Sequence, residues 1–393
     1  MLTSSHRPVL FLFLEIFTQE GGIQTYNKDI FRSYVQIEQC PEADIFLLRD
    51  QPISNNPFER EHFRFHYFYS KFSAWSRIWF AISVLYYFLK KRPQRVFCGH
   101  LKLARLTQTI CKLFNIPYTV MTHGKEVLAS LPDSERQALA KADQIWTVSR
   151  YTRDRTCSVN HLDPELFRLL PCAIDGHIFT PGDKSEALLQ HYGLGQSKVL
   201  LTVARLWSGD IYKGVDITIR ALPQILESCP TVKYLVIGRG DDQPRLVQLA
   251  QDLGVGDRVI FAGFVPTEQL INHYRLADGY VMPSQEGFGI VYLEAMACGV
   301  PVIAGDNDGS SDPLQDGYVG WQVPHRDPMA VAEACLQLLS GQDDRCRSKW
   351  IREQTLARFG QAAFQQAFAG LLIESCKLTE YQQQEQTESL YSR

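Results

Sequence analysis

Apolar runs of strand length alternate with helix-length amphipathic segments along nearly the whole chain. That alternation constrains the fold more than any other feature. Buried strands separated by helices assemble into parallel sheets with crossover helices. In the first half the predicted strands are residues 9–15, 44–48, 95–98, 118–122 and 144–148, with Ser149 placed to cap the helix that follows the last. In the second half they are 199–204, 234–237, 259–262, 280–282 and 302–304. Between the first two of these, Ile217, Ala221, Leu222, Ile225 and Leu226 share one helical face. The stretch 171–183 has no periodicity and holds Pro171, Pro181 and Gly182, so it reads as a linker. The expected organisation is a first domain at 1–180, a second at 181–360, a helix at 361–376 that packs back on the first, and a loose polar tail at 377–393.

The length of 393 residues suits two such domains. A net charge of −3 gives no reason to expect a nucleic-acid partner. The ten cysteines form no CxxC pair and no Cys/His set at zinc spacing, which fits a reduced, cytoplasmic chain. Residues 9–16 are short, include Glu15 and lack a small-residue cleavage site, so they read as a buried strand and not a signal peptide. The apolar stretch 78–89 falls short of the roughly twenty residues a spanning helix needs.

The sharpest local signal is Glu286-Gly287-Phe288-Gly289-Ile290-Val291-Tyr292-Leu293-Glu294, directly after a predicted strand. A glycine turn opening a helix there presents free backbone N–H groups and a positive dipole end to an anion. With a helix starting near Phe288, the two carboxylates stand about two turns apart and reach different parts of one extended ligand. Carboxylates also accept hydrogen bonds from vicinal hydroxyls such as those of a sugar or ribose. By itself this pattern reads more readily as an acid-capped helix entry. Arg205 and Lys213 change the balance, because they follow the first strand of the second domain. Loops at the carboxyl ends of parallel strands form the ligand crevice of open α/β sheets, and Arg and Lys there suit a diphosphate.

These motifs resemble the retaining GT-B-fold glycosyltransferases of family four, the group 1 glycosyl transferases. The likeness also takes in Gly21-Gly22, His123-Gly124, and Asp175 and Phe179 within the linker. It implies two Rossmann-like domains facing across a cleft, a nucleoside diphosphate sugar as co-substrate, and no metal or other cofactor. Residue by residue it implies that Arg205 and Lys213 clamp the diphosphate, Glu286 orients the transferred sugar and Glu294 holds the ribose. Backbone N–H groups of Phe288, Gly289 and Ile290 would touch sugar and phosphate. Gly22 would let its loop approach the donor, His123 would lie near the sugar, and the base would sit near Gly263, Phe264 and Val265. The segment 306–313 departs from the family's Gly-Gly-and-glutamate turn, with Ser310 and Asp312 in place of a glycine and the longer acid. Asp306 and Asp308 could suggest a metal, but a solvated turn is the expected reading. Gly238-Arg239-Gly240 lacks the third glycine of a dinucleotide fingerprint and reads as a strand-end turn.

The acceptor side is marked by composition alone. Residues 58–91 hold 13 aromatics in 34, with Arg60, Arg64, Lys71, Arg77, Lys90, Lys91 and Arg92 in and beside them. Core helices with snorkelling basic ends, peripheral membrane contact through 58–92, and recognition of a phosphorylated acceptor all fit. The expected function is transfer of a hexose, with retention, to an acceptor hydroxyl of a lipid-linked or polysaccharide precursor, UDP and GDP both being open as the nucleotide. A nucleotide-sugar epimerase and a non-catalytic nucleotide-sugar-binding protein are the alternatives. Turnover of donor without acceptor marks the first, and binding without turnover the second.

Overall fold

The computed structural model describes residues 7–391 apart from 20 and 39, with side chains described to residue 376. The chain divides into two units, one formed by residues 1–172 and 364–393 and the other by 173–363.

In the first unit β1 (Val9–Phe13), β2 (Ala43–Leu47), β3 (Phe63–Tyr67), β4 (Arg95–Cys98), β5 (Tyr118–Thr122), β6 (Gln144–Thr147) and β7 (Phe167–Leu169) form one parallel sheet in the order 3-2-1-4-5-6-7. β1 is Val-Leu-Phe-Leu-Phe and is buried throughout, as expected of a strand covered on both faces. Its helices are α1 (Gly22–Gln36), α2 (Ser73–Lys91), α3 (Leu101–Phe114), α4 (Asp133–Ala140) and α5 (Arg150–Asn160). The Ser149 hydroxyl accepts from the Thr152 N–H at 2.9 Å, so it caps α5 as the sequence predicts. The His100 ring caps α3 in the same way, accepting from the Lys102 N–H at 3.1 Å.

The second unit carries α6 (Glu186–His191), β8 (Val199–Val203), α7 (Val215–Ser228), β9 (Lys233–Ile237), α8 (Gln243–Asp252), β10 (Val259–Gly263), α9 (Thr267–Tyr274), β11 (Gly279–Met282), α10 (Ile290–Ala297), β12 (Val302–Gly305), β13 (Trp321–Val323), α11 (Pro328–Ser340) and α12 (Ser348–Phe359). Its parallel sheet has the order 10-9-8-11-12-13. The final helix, α13 (Gln361–Tyr391), belongs with the first unit from Phe364 onward.

Three strands are absent from the sequence expectation: β3, β7 and β13. β3 is Phe-Arg-Phe-His-Tyr, a clean period-two strand hidden inside an aromatic-rich stretch, while β7 and β13 have three residues each. The unit boundary falls at 172/173, earlier than 180/181. The reason is local: the Ile174 N–H donates to the Phe359 carbonyl at 2.8 Å, and Arg352 donates to the Gly176 and Phe179 carbonyls at 2.5 Å each. The expected linker is therefore laid down on the second unit. The last helix also continues past Lys377, where a loose tail is expected. No Gly or Pro occurs from 371 to 391 to end it.

In each sheet the winding direction reverses beside the first strand, at β1/β4 and at β8/β11. Loops leaving the carboxyl ends of such a pair diverge and open a crevice. At β8/β11 the two loops are tied by a backbone contact. Gly214 has φ 73°, and a Cβ there would lie 2.4 Å from the Pro283 carbonyl oxygen. Gly209, five residues earlier, has open space around it. Gly214→Ala should lower stability by roughly 2 kcal/mol, and Gly209→Ala should stay within about 0.5 kcal/mol of the parent. Urea unfolding of both variants checks this.

Candidate active site

The loop after β8 holds Arg205 and Lys213. Lys213 sits in a short 3-10 turn, Ser208–Lys213, and its ammonium donates to Glu286 Oε1 on the loop after β11. Both side chains are largely buried, at 16% and 15% exposure. The switch point thus brings together two residues 73 apart in sequence, as the motifs anticipate. Arg205 is more open. Its guanidinium meets the Asp210 carboxylate at 3.0 Å and lies 5.5 Å from the Trp207 ring centre. Asp210, in the same loop, therefore supplies the partner of Arg205. Arg205 and Lys213 line one pocket, together with Asp216 and Arg245.

Glu286 is gripped by the loop after β12. Its N–H donates to Asp308 Oδ2 at 2.5 Å, and its carbonyl accepts from the Gly309 N–H at 2.7 Å. The other Asp308 oxygen accepts from the Ser310 N–H at 2.8 Å and from the Ser310 hydroxyl. Asp306 and Asn307 are exposed, as a solvated turn requires, but Asp308 is only 2% exposed, so at that residue the expectation is corrected to a buried clamp. The loop folds under the Glu286 turn closely enough that a Cβ on Gly309 would lie 2.0 Å from the Gly287 carbonyl oxygen. The readable signal was Asp308-Gly309-Ser310, an aspartate able to bind the backbone two residues on. Asp308 is a positioning residue: it fixes the turn from which the Glu286 carboxylate projects. Among the described residues, no group of three His, Cys, Asp or Glu stands close enough to hold a metal ion.

The helix after this turn, α10, starts at Ile290 and not near Phe288. Gly289 precedes it with φ 86°, where a side chain would strike the Tyr292 ring. The Phe288 ring is buried against Phe359, with 5.8 Å between ring centres, so only its backbone is open to a role in the site. Glu294, in the second turn of α10, accepts from the Tyr274 hydroxyl at 2.6 Å. Burial raises its pKa despite that bond. After β10, Gly263 takes φ 71° and Phe264 stands 57% exposed with the Arg239 guanidinium 4.8 Å from its ring centre. Val265 is buried, so within 263–265 it is Phe264 that presents a face for stacking. Gly238 and Gly240 have a packing reason. A Cβ on either would lie within 2.0 Å of the Ala204 or Leu206 carbonyl oxygen, the backbone flanking Arg205.

Gly22 and His123 belong to the first unit. Gly22 opens α1, and nothing lies within 4 Å of where its Cβ would be, so internal packing does not demand glycine there. The loop before it is held by buried Asp50, which accepts from the N–H groups of Ile16, Phe17 and Thr18 at 2.6, 3.0 and 2.9 Å. The sequence reading passed over Asp50, since a single acid after a strand carries no pattern. The His123 ring is buried edge-on to Tyr26, with centres 5.3 Å apart, and its Nδ1 is 3.5 Å from Glu126 Oε1. Burial alone would raise the Glu126 pKa, but the His123 ring and the His123 N–H, which donates at 2.5 Å, bring it down to about 2.

Burial raises the Asp308 pKa to about 7, against an ordinary carboxyl value of 3.8. The folded state therefore holds this proton more tightly than the unfolded state. Its contribution to stability is complete below about pH 4 and is lost as pH rises towards 7. Asp308→Ala should remove that part of the pH slope. It should also cost about 1–3 kcal/mol by leaving the Glu286 and Ser310 N–H groups unpaired. Denaturant titrations at pH 5 and pH 8 on both proteins test the two effects.

Residues 197–341 match the family described as Glycosyl transferases group 1. The chain is 38% identical over 232 residues to the GDP-mannose-dependent alpha-(1-6)-phosphatidylinositol monomannoside mannosyltransferase of Mycolicibacterium smegmatis, covering 56% of this chain and 60% of that protein. It is 30% identical over 291 residues to the D-inositol 3-phosphate glycosyltransferase of Acidothermus cellulolyticus, covering 70% of this chain and 62% of that protein. It thus spans about 60% of the length of these relatives. In structure it is similar to Anabaena HepE solved in complex with UDP, with a TM-score of 0.75 and 20% identity over 93% of this chain and 99% of that one. The match to the Glycosyl transferases group 1 family thus lies within the second unit, over residues 197–341, and the chain's two parallel-sheet units have the GT-B fold.

Proposed function

We propose that the protein is a retaining hexosyltransferase, using a nucleoside diphosphate sugar and a hydroxyl acceptor that carries phosphate, lipid-linked or soluble. The observation that carries this reading is the meeting of Lys213 and Glu286 at the β8/β11 switch point, beside Arg205. A cation paired with a carboxylate in a largely buried site suits a ligand that is anionic at one end and rich in hydroxyls at the other. GDP-mannose is the first donor to try, since the M. smegmatis relative is named for it. Phosphate on the acceptor is suggested by the names of both relatives, a phosphatidylinositol mannoside enzyme and an inositol 3-phosphate enzyme.

In this mechanism the bond from the anomeric carbon to the diphosphate oxygen breaks as the acceptor oxygen bonds the same carbon from the same face. The acceptor proton passes to the departing phosphate oxygen. Arg205 and Lys213 take up the charge growing on the diphosphate, an electrostatic stabilisation placed in advance of the reaction. No resident metal is required in this scheme. Glu286 holds the sugar hydroxyls, and Glu294 binds the ribose. Phe264, backed by Arg239, stacks on the base.

Lys213→Ala should cut turnover by about 100-fold or more while the protein still folds. Phe264→Ala should weaken donor binding by roughly 1–2 kcal/mol with little change in turnover at saturation. Thermal shift with GDP-mannose, UDP-glucose and ADP-glucose, followed by transfer assays on phosphatidylinositol and inositol phosphate acceptors, provides the measurement. Near-normal turnover in Lys213→Ala would reject the clamp, and hydrolysis or epimerisation without acceptor would reject transfer.

A further inference from the structure

Helix α2 is apolar on two sides. Its inner face, with Phe80, Val84 and Phe88, is buried in the core of the first unit. Its outer face carries Phe72, Trp75, Trp79, Ile82, Tyr86 and Leu89 at alternating spacings of three and four, which align them in one stripe. These residues are exposed: Phe72 at 70%, Trp75 at 66%, Ile82 at 61% and Leu89 at 64%. Ile78 and Leu85 widen the stripe. A helix that is hydrophobic all round is normally covered all round, and isolated exposed apolar residues are ordinary where a continuous stripe is not.

Charge indicates what covers it. From Tyr69 to Arg92 there is no acidic residue and there are five cations. Lys71 stands at one end of the stripe, Lys90, Lys91 and Arg92 at the other, and Arg77 between. A second copy of the same helix would set cations against cations in any two-fold pairing. An anionic lipid surface takes apolar rings at the headgroup level and cations at the phosphates together. Trp75, Trp79 and Tyr86 have the amphipathic rings that favour that depth. Among the described residues no helix is long and apolar enough to cross a membrane, so the contact is one of lying on the surface.

We infer that the outer face of α2, from Phe72 to Leu89, docks the protein in plane on an anionic lipid surface. This stands on α2 alone and does not depend on the transfer reading. Within the broad stretch 58–92 it selects one face of one helix. It leaves β3 out, because Arg64 and His66 of that strand are engaged with Asp44 at 3.1 and 2.7 Å.

The test is flotation of the full chain, without any nucleotide sugar, on phosphatidylcholine vesicles with and without phosphatidylglycerol. The wild type should float with the phosphatidylglycerol vesicles, with a blue-shifted tryptophan emission, and bind weakly to phosphatidylcholine alone. Ile82→Glu, at an exposed position, should lower the bound fraction about tenfold with an unchanged melting curve. Equal binding by Ile82→Glu, or no flotation of the wild type, would overturn the inference. So would equal binding to neutral vesicles. A dimer in sedimentation that Ile82→Glu dissociates, with no vesicle binding, would assign the face to a second copy instead. Because no sugar is present, failure here leaves the donor-site reading intact, and failure of the transfer assays leaves this one intact.

Discussion

The site of the second unit depends on backbone packed against backbone. The loops after β8, β11 and β12 approach one another so closely that side chains are excluded at the contacts. Gly214 lies against the Pro283 carbonyl, Gly305 against that of Ser284 and Gly309 against that of Gly287. This packing brings Lys213 to Glu286 and places Asp308 beneath the Glu286 amide. Polar side chains held this way are oriented before any ligand arrives, which is what electrostatic recognition of a diphosphate requires.

Burial and charge divide the labour among these groups. Lys213 and Glu286 neutralise one another in a largely buried position, whereas Arg205 stays open beside Asp210. Asp308 and Glu294 are carboxyls whose pKa values burial raises. Each has hydrogen-bond donors aimed at it from its own unit, a hydroxyl for Glu294 and two amides and two hydroxyls for Asp308.

Much of this was legible in the sequence for one reason: parallel strands buried on both faces read as uninterrupted apolar runs. Arg95–Cys98 and Tyr118–Thr122 match the expected strands residue for residue. β3 was not legible, because Arg64 and His66 alternate with its rings and the neighbouring aromatics of α2 drown the period. Lys213 and Glu286 could be paired because both follow strands adjacent to the switch point. Asp308 was misjudged because sequence polarity suggests solvent, and only the fold shows four donors converging on that carboxylate. Asp50 was not legible because a single acid after a strand carries no pattern.

The first unit is discontinuous. The chain leaves it at Cys172 and returns only at Phe364. What returns is not ornamental: Phe368 packs on Trp146 with ring centres 5.9 Å apart, the Ser375 hydroxyl donates to Gln144 at 2.6 Å, and Glu374 pairs with Arg168 at 2.8 Å. During synthesis, therefore, the second unit emerges whole and can close while the first still lacks the helix that covers β6 and β7. The half of the molecule that is made first is the half that is finished last.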